Sequence, residues 1–179
     1  FSMEKLHVYT LALIAAIIPN IVFLNAIPQP RYSIFFMAFP KGEINYDFFS
    51  YSKMMFLIFS TVFLTLIFLW KSYKKIKWQP VYGFLIVYTV LIVLSTAISP
   101  FRELAIRGLG DRYEGIFTLF AYLLLFFVAY NIAKDKEDRK IVIGGVIAGS
   151  VVVGLVGIFQ YWGLDIYRTR FMQQIITPE

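Results

Sequence analysis

RELAIRGLGDRYEGIFTLF, residues 102–120, lies between two strongly apolar runs, one over 81–98 and one opening at Ile116. A polar stretch set between apolar runs that each approach the roughly 20 residues needed to cross a bilayer predicts a loop joining two membrane-spanning helices. It holds three of the chain's seven arginines, a Gly-x-Gly at Gly108 and Gly110, and an Asp-x-x-Glu at Asp111 and Glu114. The spacing predicts a helix start, with Asp111 accepting from the first-turn N–H groups and Glu114 at the third helical position, as in a capping box. Bare N–H groups and the positive end of the helix dipole then lie beside Arg112, and that combination favours an anion, phosphate above all. A plain helix cap with its arginines in water satisfies the same spacing.

Composition points the same way. Of 179 residues, 59% are hydrophobic and 16% charged, and the mean hydropathy is +0.71. A soluble domain is nearer half apolar and a quarter charged, so the chain is expected to be an all-α, polytopic transmembrane bundle. Cysteine is absent, which excludes a disulfide frame, a thiolate nucleophile and a cysteine metal site. The net charge of +6, in a membrane protein, serves orientation and anionic headgroups rather than nucleic acid. No carboxylate or histidine cluster points to a metal, and no cofactor is expected.

Working outward gives about five spans, at 6–27, 54–70, 81–98, 116–133 and 141–162, with outer loops at 28–53 and 99–115. Pro19 and Asn20 interrupt the first span and predict a kink against a neighbour. His7, the single histidine, is expected as an interfacial anchor. Residues 28–53 are too polar and proline-broken to span; their many aromatics predict a loop on the membrane surface, with room for a short re-entrant or interfacial helix. Trp70 and Trp78 flank a lysine cluster as further anchors. The fifth span is rich in glycine. Gly145 and Gly149 are four apart, as are Ser150 and Gly154, and small residues at that spacing let helices approach closely in lipid. Gly145, Gly149 and Gly154 are therefore expected to form a packing face. Gln160 is a polar residue at membrane depth and calls for a partner or a cavity.

Five spans place the two termini on opposite sides. The loops 71–77 and 134–140 share a side with Lys5 and together carry nine Lys and Arg, against eight on the other side. Short, dense loops weigh most in orientation, so that side is expected in the cytoplasm. Eight of ten lysines then face inward and six of seven arginines outward. Arginine's planar fork suits bidentate contact with phosphate or carboxylate, and an external anionic ligand explains its position on the side where basic residues are disfavoured.

VLSTAISPFRELAIRGLGDRYEGIFTLFAYLLLFF, residues 93–127, resembles a segment of the O-antigen ligase and polymerase-like family, in which Leu-Ser-Thr precedes an outer loop ending in Arg-Tyr-Glu-Gly. GIFQYWGLDIYR, 157–168, is similar to a later segment of that family, and NYDFFSYSK, 45–53, more weakly to its first outer loop. The resemblance covers almost the whole chain. It implies the N-terminal part of a GT-C-type bacterial glycosyltransferase of the inner membrane, N-terminus cytoplasmic and C-terminus outside. Such enzymes move a glycan from a polyprenyl diphosphate to an acceptor on the outer face without a metal, while outward arginines hold the diphosphate. Carried over residue by residue, this makes Arg112 the main diphosphate contact, with Tyr113 and Glu114 around it and Arg107 and Arg102 assisting. The family's later outer loop with its catalytic histidine has no counterpart here, and His7 is on the wrong side to replace it. No catalytic residue is expected in this chain. Its expected partners are the lipid-linked glycan, membrane lipid, and the rest of the enzyme or a partner subunit. A non-catalytic membrane subunit and a lipid-linked-glycan transporter component are the alternatives; Asn20, Thr61, Thr65 and Gln160 are the few polar groups a transport path would have.

Overall fold

A computed structural model describes residues 5–28, 44–47, 49–72, 76–108 and 112–176. The architecture is helical: α1 (Leu6–Ile17, continued by a 3-10 turn over Ile18–Asn20), α2 (Ser50–Ser72), α3 (Pro80–Ile98), the short α4 (Arg102–Arg107), α5 (Ile116–Ile132), α6 (Lys136–Tyr161) and α7 (Arg170–Ile176). A two-stranded antiparallel ribbon, β1 (Asn25–Pro28) with β2 (Ile44–Asp47), links α1 to α2 and pairs Asn25 with Asp47.

Three helices, α2, α3 and α6, are long and apolar enough to cross a membrane; α1 with its 3-10 turn and α5 are shorter apolar helices. The first apolar run is thus helical only to Asn20 rather than to residue 27. Pro19 sits inside the 3-10 turn, and the chain is extended from Ile21. A proline supplies no N–H to the i→i−4 ladder, which ends the α-helix there. The second helix opens at Ser50, four residues before the expected 54. Asp47 is buried, and its carboxylate accepts from the N–H groups of Phe49 (2.7 Å), Ser50 (2.8 Å) and Tyr51 (3.1 Å). These groups would otherwise be orphaned at a helix start. Part of the expected surface loop is therefore the ribbon β1–β2; residues 29–43 lie outside the described residues.

The helices alternate in direction. His7 at the start of α1 meets Phe68 near the end of α2, ring centroids 5.8 Å apart. The Tyr82 hydroxyl at the start of α3 donates to Asn131 Oδ1 at the end of α5 (2.7 Å). Lys5 pairs with Asp138 at the start of α6 (2.6 Å). One end of the bundle thus collects Lys5, Lys71, Lys134 and Asp138, and the other carries α4, the ribbon and the start of α5. The core lies between α1, α2 and α5, where Val8, Leu11, Ile14, Leu64, Phe68, Val128 and Ile132 pack together.

α6 runs parallel to α1. Contacts rise together along both helices: Lys5 with Asp138, Ala12 with Gly145, Ala16 with Gly149. A Cβ at Gly145 would strike the Ala12 carbonyl, and one at Gly149 would lie 2.9 Å from the Ala16 Cα. The Asn20 amide donates to the carbonyls of Ala16 (2.9 Å) and Gly149 (3.3 Å), satisfying a polar group where lipid would not. Gly154 does not share this face and has open space around it. Five residues beyond Gly149 it is turned by roughly 140° around the helix. The outward sides of α3 and α6 are apolar and bare: Phe84, Ile86, Val87, Leu91, Val151, Leu155 and Ile158 are all exposed. Only 6% of the apolar window of α6 is buried. Helices apolar all round belong in lipid or against other helices.

Candidate functional site

The arginine-bearing stretch is built as a tight backbone knot. The third helix stops at Ser99-Pro100, and the Ser99 hydroxyl accepts from the Phe101 N–H (3.2 Å). α4 then runs for six residues to Gly108, whose N–H donates to the Leu104 carbonyl (2.7 Å). Gly108 has φ +85°, a region open to glycine and strained for other residues. A Cβ there would collide with the backbone of Tyr113 and Glu114. Gly115 makes the reciprocal approach: a Cβ on it would strike the Ile106 carbonyl and lie 2.7 Å from the carbonyl carbon of Arg107. The end of α4 and the start of α5 therefore touch backbone to backbone at two glycines.

Between those contacts Tyr113 adopts φ +52°, the one positive φ among the described non-glycine residues. Such a conformation costs about 1–3 kcal/mol and persists where the surroundings enforce it. Two contacts do so. The buried Tyr113 ring packs edge-on against Tyr51 at the start of α2, centroids 5.4 Å apart. The buried Thr118 hydroxyl donates to the Tyr113 carbonyl (2.8 Å).

α5 starts at Ile116 with Gly115 as its N-cap, in extended conformation and without a side-chain cap. This corrects the expected capping box. Glu114 precedes the cap instead of occupying the third helical position, and the cap falls on Gly115, where the approach of Ile106 and Arg107 leaves no room for a Cβ. Asp111 and Gly110 lie outside the described residues. Gly115 has no side chain with which to cap the first N–H groups of α5, which stand at the positive end of a 17-residue helix.

The expected site residues fall into two groups. The backbone contact brings Arg107 and Arg112 to the same turn, with Tyr113 buried beneath it and Glu114 exposed beside it. Arg112 is exposed, and among the described residues no carboxylate lies within ion-pair distance of it. Arg107 is also exposed and reaches Glu103 at 3.7 Å, a contact weak enough for a stronger anion to displace. Arg102 is separate. It lies at the first position of α4, roughly 140° around that helix from Arg107, and lines a cleft of about 620 Å³ over residues 98–104. Sequence reasoning missed Thr118 and the capping role of Asp47. Asp47 stands two residues ahead of the N-cap position, so the N-cap signal at position 49 does not reveal it; the Thr118 clasp has no sequence signature.

Compared with models of known protein families, with curated proteins and with solved structures, the chain matches none. Among the described residues no group of three His, Asp or Glu side chains gathers in a way that would hold a metal ion.

Proposed function

We propose that this chain is the N-terminal membrane portion of a glycosyltransferase that transfers a glycan from a polyprenyl diphosphate carrier, such as undecaprenyl diphosphate, to an acceptor on the outer face of a bacterial inner membrane. Its part is to bind the lipid diphosphate at the turn between α4 and α5. The single observation that carries this is the knot itself. Two glycines and a strained Tyr113 fix the backbone so that Arg112 projects, without a carboxylate partner among the described residues, beside a helix start whose N-cap is a glycine. Strain held in place by burial and a buried hydrogen bond marks a position kept for something other than stability. The resemblance of residues 93–127 to the O-antigen ligase and polymerase-like family supplies the ligand.

The chemistry follows from charge. When the anomeric carbon leaves the carrier, negative charge builds on the departing phosphate oxygen. Guanidinium groups and free N–H groups already in position stabilise that charge without reorganising. Arg112 provides the fork and Arg107 a second cation at the same turn. Arg102 serves the flanking cleft. The general base comes from the rest of the enzyme or from a partner subunit. Within this proposal α1, α2, α3, α5 and α6 are the five spans of a GT-C-like N-terminal half, the arginine turn is external and the lysine end cytoplasmic.

A non-catalytic membrane subunit is the competing role, favoured by the bare apolar sides of α3 and α6 and by open space at Gly144, Gly154 and Gly157. The two separate on ligand binding. The purified chain in nanodiscs is expected to bind undecaprenyl diphosphate at least about tenfold more tightly than undecaprenol, which lacks the charge. Equal binding of both would remove the diphosphate role and leave the subunit role.

A further inference from the structure

At the opposite end of the bundle the chain carries a second polar cavity, of about 570 Å³, between the starts of α1 and α6 and the ends of α2 and α5. We propose that it is a binding site for the headgroup of an anionic phospholipid. Three lysines line it, Lys5, Lys71 and Lys134. Two carboxylates also face it, and both are engaged. Asp138 takes the Lys5 ammonium at 2.6 Å. Asp135 caps α6, accepting from the N–H groups of Glu137 (2.9 Å) and Asp138 (3.1 Å). Lys71 and Lys134 have no carboxylate within ion-pair distance among the described residues.

Lys134 is held in place. Its Nζ donates to Asn131 Oδ1 (3.0 Å) and to the Tyr82 hydroxyl (3.4 Å), and it stands 4.9 Å from the Tyr130 ring centroid. The Lys71 ammonium lies over the Trp70 ring at 4.8 Å. A phosphate entering the cavity therefore meets one positioned cation and one that swings from an aromatic face, and little ordering entropy remains to be lost at Lys134.

The cavity is amphipathic, which decides for a lipid over a free anion. Its inner wall is apolar: Phe68 and Ile132 are each 3% exposed and belong to the bundle core. Its rim is basic and sits beside Trp70 and Trp78, exposed by 74% and 71%. Indole rings collect at the headgroup level of a bilayer, and basic pockets between helices at that level take phosphate headgroups. A glycerol backbone with the start of its acyl chains fits the apolar wall, whereas a free phosphate uses only the rim.

The test uses the full chain in detergent, titrated with phosphatidylglycerol or phosphatidylcholine of the same acyl chains, with retained lipid read by native mass spectrometry. Phosphatidylglycerol is expected to be retained about tenfold more tightly, and Lys71→Gln and Lys134→Gln each to weaken it about fivefold. Lys71→Gln leaves the core untouched, so it remains informative if Lys134→Gln impairs folding. Lys140→Gln is the charge-matched control, since Lys140 pairs with Glu137 (2.8 Å) and is not part of the cavity lining; it is expected to change nothing. Equal retention of the two lipids, an equal loss in Lys140→Gln, or displacement by soluble glycerol phosphate at matched concentration would overturn the assignment. So would loss of phosphatidylglycerol in Arg112→Ala with both lysine variants unaffected, because the bound lipid would then sit at the arginine turn.

Discussion

The two ends of the bundle hold positive charge in different ways. At the lysine end side chains hold the cations: Lys5 on Asp138, Lys140 on Glu137, Lys134 on the Tyr82–Asn131 pair and Lys71 over the Trp70 ring. At the arginine end Arg112 projects from a backbone whose own contacts are glycine to main chain, with a strained tyrosine buried beneath it. Pairing side chains stabilises an end and holds it to its neighbours. Rigid backbone under an exposed guanidinium does neither for the cation, but fixes where it stands before any ligand arrives. That difference separates an end whose cations are held by side chains from one whose cation is placed by backbone.

The largest expected effect is all-or-none. Single cysteines at Ser72 and Ile106, at opposite ends of the bundle, are exposed to an impermeant maleimide in intact cells. An arginine end on the outside, as proposed, predicts labelling at position 106 and none at 72; the reverse pattern would place the lysine end outside.

Next comes Gly115→Ala. Its new Cβ meets the main chain of Ile106 and Arg107, which cannot yield as a flexible side chain would. A stability loss of about 1–3 kcal/mol is expected, together with loss of diphosphate binding as α4 shifts from α5. Unchanged melting and binding would show that the close approach is not required. Thr118→Val sharpens the same point more gently. It keeps the volume but removes the donor to the Tyr113 carbonyl, so about 1 kcal/mol should be lost, with diphosphate binding weakened more than global melting. Binding that is unaffected would detach Tyr113 from the function of the turn.

Each apolar run located a helix, because in lipid the backbone must satisfy itself within each segment. Toward Ile27 hydropathy continues past Pro19, although the ladder of hydrogen bonds cannot, so the helix is shorter than its apolar run. Gly145 and Gly149 were legible as a close-packing pair, while Gly154 looked alike in spacing and lies on another face. In the arginine stretch, Asp-x-x-Glu spells a helix cap locally, yet the helix begins at Ile116 because a tertiary contact between Gly115 and α4 overrides the local signal. The left-handed Tyr113 was invisible, since nothing in residue type foretells a strained tyrosine.

The smallest expected effect concerns acid. Backbone N–H groups of Asp138 and Glu137 hold the Asp135 carboxyl below the usual carboxylate range. A lowered carboxylate pKa contributes stability that is complete above the ordinary value of about 3.9 and is lost as pH falls through the folded-state value. Melting should therefore be flat near neutrality and decline below about pH 4, with Asp135→Ala flattening part of that decline. The same slope in Asp135→Ala and in the parent chain would show that the cap is not responsible.

Binding of undecaprenyl diphosphate to the parent chain, Arg112→Ala and Arg112→Lys in nanodiscs, with thermal stability measured on each, decides whether the turn between α4 and α5 holds the diphosphate. Charge-assisted contacts to phosphate contribute roughly 1.5–3 kcal/mol, so Arg112→Ala is expected to weaken binding about tenfold to a hundredfold at unchanged melting temperature. Arg112→Lys should restore it in part, because an ammonium cannot fork across two oxygens. Binding that is unchanged in Arg112→Ala, or lost only in step with folding, would contradict the account and leave the turn between α4 and α5 as a connection between helices.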